Sequence, residues 1–179
     1  NDGSRDVIKS YQEKDSRIYI LKNKKPSGYA GEAAANRGIK VARGKYIARM
    51  DADDISVLTR LEKEVKFLEK NPDIFLVGSR ALIIDGKDKI IGKRDVPLKN
   101  DEIYKKFYFK NCIIHPSVLF RNERLNEDFY KLVFTDMNDY LNWMRLMSCG
   151  KKFANVNEYL IKYRVHGKNA TFKNIKEKF

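Results

Sequence analysis

The sequence predicts an α/β protein, and three observations carry that prediction. Tyr46, Ala48 and Met50 alternate with Ile47 and Arg49, the period of a strand with two different faces. Ser56 to Lys70 then places Leu58, Leu61, Val65 and Leu68 at helical spacing, and Ile74 to Ile84 returns to an apolar run of strand type. Helical and strand-like stretches keep alternating to the end of the chain, which is the pattern of a sheet covered by helices.

Taken in order, Asn1-Asp2-Gly3-Ser4 is turn chemistry, and Ser4 can cap a short helix whose apolar stripe is Val7, Ile8 and Tyr11. Arg17 to Leu21 reads as a short strand and Lys24-Lys25-Pro26-Ser27-Gly28 as a loop. Gly31 to Ala42 reads as a helix of small residues, where Ala33, Ala34 and Ala35 permit close approach to a sheet or ligand; Arg43-Gly44 ends it. Asn71-Pro72 stops the helix from Ser56, and Asp85-Gly86 is a hairpin turn into Lys89–Arg94. Asn100 to Phe109 reads as a helix and Val118 to Phe120 as a strand. Asp136 to Cys149 is helical, with Tyr140, Trp143, Met144 and Met147 along one face and Gly150 behind it. Lys152 to Val156 and Tyr159 to Val165 are the last two strands, before a polar, lysine-rich tail.

At 179 residues the chain is expected to be one domain, 1–179, with enough length for a real core. Hydrophobic residues at 42% and charged ones at 34% exclude a disordered chain, and no apolar run reaches the roughly 18–20 residues of a membrane span. Cys112 and Cys149 fit no metal-binding spacing, so two free thiols in a reducing cytoplasm are expected. The net charge of +13 favours polyanions such as nucleotide diphosphates or anionic lipid head groups. The lysines are scattered, and no RNA-binding aromatic signature or zinc finger is present, so nucleic acid is not an expected partner.

Where the strand through Tyr46 should stop, Asp51, Asp53 and Asp54 crowd into four residues. Packing three carboxylates together is unfavourable unless a cation neutralises them. Mg²⁺ or Mn²⁺ favours one or two carboxylates plus the oxygens of a substrate phosphate. A strand ending in Asp-x-Asp is therefore a candidate metal–diphosphate site at the carboxyl edge of an α/β sheet. The bland alternative is a solvated turn with Asp54 capping the next helix. An EF-hand loop from Asp51 fails, because Ile55 and Ser56 stand where an oxygen ligand and a glycine are needed. A phosphohydrolase with Asp51 as nucleophile fits the cluster superficially but leaves the later motifs unused. A polyanion-binding module without catalysis explains the charge but not the acids.

The surrounding motifs point further. Asn36-Arg37-Gly38-Ile39, Ala42-Arg43-Gly44-Lys45-Tyr46-Ile47, Met50-Asp51-Ala52-Asp53-Asp54 and Arg60 form one series. Asn1-Asp2-Gly3-Ser4 precedes it, and His115-Pro116-Ser117, Asn138-Asp139-Tyr140 with Trp143, Arg145 and Leu146, and Tyr163-Arg164-Val165-His166 follow. Together, in this order and over nearly the whole chain, they resemble the inverting family 2 glycosyltransferases of the GT-A fold. That resemblance implies a Rossmann-like, nucleotide-binding mixed sheet flanked by helices. It also implies two strands and a helix ahead of Asn1, so the sequence is expected to be incomplete at the N-terminus and its activity alone doubtful.

The resemblance implies a nucleotide-sugar donor, with UDP-sugar as the expected form, and a glycan or lipid-linked acceptor at the cytoplasmic face of a membrane. Peripheral docking on anionic lipid is compatible with the charge. Asp53 is the expected ligand of Mg²⁺ or Mn²⁺, with His166 as a further metal or diphosphate contact. Asp51 is expected on the ribose or the metal's water shell. Asp2 is expected at the base and Arg60 at a phosphate; the competing readings are a local turn for Asp2 and a helix-surface arginine for Arg60. Asp139 is the expected catalytic base, ahead of Asp136, although Asn138 stands where the family has a Glu. His115 is expected to shape the acceptor side or to be structural.

Overall fold

The computed structural model describes residues 2–22, 31–123, 127–133 and 137–166. Lys24 to Gly28, Asp136 and the lysine-rich tail lie outside them. In chain order the elements are α1 (Ser4–Lys14), α2 (Glu32–Val41), β1 (Tyr46–Ala48), β2 (Ile55–Ser56), α3 (Arg60–Lys70), β3 (Ile74–Ile84), β4 (Ile90–Arg94), α4 (Asn100–Phe107), a 3₁₀ turn (His115–Ser117), β5 (Leu119–Arg121), α5 (Asn138–Ser148) and β6 (Lys152–Arg164).

Ile74–Ile84 carries apolar runs on either side of Gly78-Ser79-Arg80 and is buried along its first half, the mark of a strand covered on both faces, and the sheet is centred on it. The strand order is β1-β5-β3-β6-β2, with β4 also on β3. β6 runs parallel to β3 along its whole length, from Ile74↔Lys152 to Ile84↔Arg164. β5 pairs antiparallel with Leu76 and Val77, and β4 with Ala81 to Ile84, so these two share the other edge of β3. Because β5 is antiparallel to both β1 and β3, β1 points the same way as β3. The loop leaving β1 therefore emerges at the carboxyl ends of β3 and β6, the edge where α/β sheets bind ligands.

Neighbouring residues in these strands face opposite ways. Leu76, Phe120 and Phe153 pack with Ile103 and Phe107 of α4, with Trp143, Leu146 and Met147 of α5, and with Ala35 and Ile39 of α2. Val77, Leu119 and Ala154 pack instead with Leu68, Val65 and Phe67 of α3. The result is a mixed sheet between two helical layers. Trp143 is fully buried, and the rings of His115, Phe129, Tyr130 and Phe153 meet it edge-on at 5.9–6.1 Å, a favoured aromatic geometry.

Several elements differ from expectation. Arg17 to Leu21 forms no strand: no described strand lies beside it to take its hydrogen bonds, and Tyr19 and Leu21 are exposed. Ser4 does not cap α1; Gly3, in the left-handed region at φ 80, occupies the cap. The stripe Val7, Ile8 and Tyr11 is exposed. The helix expected from Ser56 starts at Arg60, because Ile55–Ser56 pairs with β6 as β2. Leu58 and Leu61 consequently lie outside the core, and the buried face of α3 is Arg60, Glu64 and Leu68. The last two strands are one, β6. The polar pair Asn157-Glu158 between them is a bulge between the Ser79↔Val156 and Arg80↔Tyr159 pairings.

Candidate active site

Three segments deliver the expected site residues. The loop after β1 carries Asp51, Asp53 and Asp54, the first turn of α5 carries Asp139, and the end of β6 leads into His166. Two arginines fix the loop from beneath. Arg49 reaches Asp51 Oδ1 with Nη2 at 2.6 Å and donates to the Met50 carbonyl. Arg60, only 1% exposed, lies on Glu64 at 3.1–3.2 Å and donates through Nη2 to the carbonyls of Arg49 (2.9 Å) and Val118 (3.2 Å). Its guanidinium is thus held inside the fold, one peptide beneath the acids, and supports the loop through the backbone. Buried Glu64 has its carboxyl pushed up by desolvation, while Arg60 opposes that rise.

Asp54 does not cap α3. Its Oδ1 accepts the Arg164 backbone N–H at 2.8 Å, tying the acid loop to β6, and Arg164 Nε donates to the Asp53 carbonyl at 2.6 Å. Burial raises the Asp54 carboxyl to about 6, with the charges of Asp53 and Asp51 adding to the rise. These ties bring the closing segment onto the cluster: His166 Nε2 stands 3.2 Å from Asp53 Oδ2. Among the described residues no three acid, histidine or cysteine side chains form a metal cage. Mg²⁺ and Mn²⁺ do not require one, since one or two protein donors plus substrate phosphate and water suffice. Asp53 and Asp51 supply the carboxylates of such a set, and His166 Nε2 adjoins Asp53.

Asp139 projects from the N-terminal turn of α5, where its Oδ2 accepts from Asn111 Nδ2 at 3.3 Å. Its carboxyl is raised by burial, against the opposing Tyr140 and Asn111 hydrogen bonds and the charge of Arg94. Asp51 is also raised by burial, and the charges of Asp53 and Asp139 push it further. Asp51 and Asp139, 88 positions apart in sequence, therefore face one electrostatic environment. His115 donates or accepts at Tyr130 OH (2.9 Å) and is held neutral, its pKa lowered by burial to about 3. Its ring also meets Trp143 edge-on at 5.9 Å. Asp2 is exposed and its Oδ1 accepts the Ser4 N–H at 3.0 Å, closing a turn on its own backbone.

One acid went unnoticed in the sequence. Glu32, the first residue of α2, is 4% exposed, its Oε2 has no hydrogen-bond partner among the described residues, and burial raises it to about 7. The charges of Asp139 and Asp51 raise it too, while Arg49 opposes them. One turn on, Asn36 exchanges two 2.8 Å hydrogen bonds with the Tyr130 backbone, which fixes the helix over the site. The available signal was spacing: Glu32 is the one acid of that alanine-rich helix and lies on the Asn36 face. Arg94, whose charge reaches Asp139, carried no sequence signal.

Comparison with known proteins matches residues 1–137 to the glycosyl transferase family 2 model. The chain belongs to glycosyl transferase family 2. An uncharacterised glycosyltransferase of Methanocaldococcus jannaschii is 35% identical over 178 residues, covering 99% of this chain and 61% of the relative. An uncharacterised glycosyltransferase of Haemophilus influenzae is 37% identical, covering 93% and 55%. A UDP-Glc:α-D-GlcNAc-diphosphoundecaprenol β-1,3-glucosyltransferase of Escherichia coli is 32% identical, covering 92% and 62%. The chain spans about three fifths of the length of these curated relatives. Family 2 membership and the helix-flanked mixed sheet agree with a GT-A fold.

Proposed function

We propose that the protein of which this chain is part transfers a sugar, with inversion, from a nucleotide-diphosphate donor, a UDP-sugar, to a lipid-linked glycan acceptor. The observation that carries the reading is the convergence of the acids: the Asp139 charge reaches Asp51, both reach buried Glu32, and His166 Nε2 stands on Asp53. One relative is named for a diphosphoundecaprenol-linked sugar acceptor, which supports the choice of acceptor class.

In this reading the acceptor hydroxyl oxygen attacks the anomeric carbon from the face opposite the diphosphate. The new C–O bond forms as the C–O bond to the diphosphate breaks, and the departing oxygen keeps the electron pair. Asp139 takes the hydroxyl proton. Its burial serves that role, because a base with a raised pKa holds the proton more firmly. Asp53 and His166, with Asp51, would hold a divalent ion that neutralises charge on the leaving diphosphate. Asp51 also orients the ribose, and Asp2 contacts the base by leaving its turn with Ser4. Arg60 keeps Asp51 aimed through the Arg49 carbonyl. The site works on the cytoplasmic side of the membrane, where nucleotide sugars are available.

The test uses the full-length protein with Mn²⁺, candidate UDP-sugars and a diphospholipid-linked acceptor, following UDP release and glycolipid product. Product that requires acceptor supports the reading. Phosphate release from simple esters without sugar transfer would replace it with the phosphohydrolase reading.

A further inference from the structure

The end of α4 exposes a patch that the transfer chemistry leaves unexplained. Tyr108 is 77% and Phe109 89% exposed, directly after the buried Phe107. Large aromatic rings left in water oppose the general tendency of folding. Lys105, Lys106 and Lys110 flank them and are exposed, and among the described residues none has a carboxylate within ion-pair distance. The charges of Lys110, Lys106 and Arg94 all reach the Cys112 thiol, so they gather on one side of this turn.

The patch adjoins the reaction centre. Phe107 stacks on Tyr140 at 4.8 Å, and Tyr140 OH donates to the Phe107 carbonyl at 2.5 Å. Two residues beyond Phe109, Asn111 donates to Asp139. Met137, 60% exposed, stands two residues before Asp139. Aromatic side chains ringed by lysines are the composition that settles at a bilayer interface, rings at head-group depth and ammonium groups on lipid phosphates. Charge complementarity selects an anionic surface, and the +13 excess of the chain favours the same choice.

We infer that Tyr108 and Phe109, with Lys105, Lys106 and Lys110, form a docking surface for anionic phospholipid bilayers that sets Asp139 at the membrane where a lipid-linked acceptor's sugar emerges. The part concerning the acceptor rests on the transfer reading above; the docking itself does not. No helix among the described residues is long and apolar enough to cross a membrane, so the contact proposed is peripheral.

The test is flotation of the full-length protein with vesicles of phosphatidylcholine mixed with phosphatidylglycerol, whose head groups make the surface anionic. Wild type should float with these vesicles, much less with pure phosphatidylcholine, and less as salt rises. Replacing Lys105, Lys106 and Lys110 by Gln should lower partitioning on the order of 100-fold, about fivefold for each lysine. Tyr108→Ser with Phe109→Ser should lower it by at least about tenfold. Lys66→Gln with Lys70→Gln, on the α3 face of the sheet, should change it by much less. All these side chains are exposed, and unchanged thermal melting would show that the variants fold. Equal flotation of wild type and patch variants, or equal loss in the α3 control, overturns the proposal. Transfer to a detergent-solubilised acceptor is measured in parallel. Transfer without patch-dependent flotation removes the docking surface alone, and patch-dependent flotation without transfer removes the catalytic reading alone.

Discussion

Replacing Glu32 by Gln should stabilise the folded protein at alkaline pH and do little at acid pH. Glu32 is raised from 4.5 to about 7 because it is buried beside Asp139 and Asp51. An acid raised on folding favours the folded state below its unfolded pKa and loses that contribution as pH climbs through the folded value. Each pH decade between the two values is worth about 1.4 kcal/mol, so the ionised carboxylate costs the fold at most about 3 kcal/mol by pH 8. Gln keeps the shape without the charge. Loss of a favourable acid at the first turn of α2 offsets about 0.3–1 kcal/mol of the gain. Urea unfolding without divalent ions should therefore show the variant more stable by about 2 kcal/mol at pH 8, with most of that gain gone at pH 5. In a domain of this size that is roughly 4–8 °C in melting temperature. A variant that is less stable than wild type at pH 8, or a difference that ignores pH, would refute the electrostatic coupling assigned to this site.

Arg60→Met should destabilise by about 3–5 kcal/mol, because Glu64 is left buried without its partner; Arg60→Met with Glu64→Leu should recover most of the loss in the same urea titration. Asp139→Asn should lower kcat by about 10²–10⁴ while donor affinity measured by calorimetry stays near wild type. Gly78→Ala places a Cβ 2.5 Å from Asn155 Oδ1 and 3.1 Å from Ser117 Oγ, and should cost about 1–3 kcal/mol. Gly92→Ala, whose Cβ meets nothing closer than 3.8 Å, should change stability by less than about 1 kcal/mol.

What the sequence reveals here is what depends on short-range pattern. The alternation through Tyr46 to Met50 and the acids behind it locate a strand end, and the spacing of Tyr140, Trp143 and Met147 locates α5 and its buried face. What it hides depends on long-range partners. Leu58, Leu61, Val65 and Leu68 describe a convincing helix stripe, but Ile55–Ser56 is drawn into β6, which moves the helix start to Arg60 and turns an ion pair inward. Asp54 resembles a cap until Arg164, 110 residues away, is found on its carboxylate. Asn157-Glu158 suggests a break where a parallel neighbour accommodates a bulge. Glu32 belongs to the site because α2 is fixed to Tyr130 through Asn36, a contact across 94 residues. Arg17 to Leu21 has strand composition, yet strand structure requires a neighbour.

The central claim is that Asp53, with Asp51 and His166, grips a cation that in turn grips the donor's diphosphate. Calorimetry of the full-length protein with a UDP-sugar tests it most directly, in Mn²⁺, in EDTA and with Asp53→Asn. Binding should be present in Mn²⁺, and weaker by more than about tenfold in EDTA and in the variant. Equal affinity under all three conditions would contradict it.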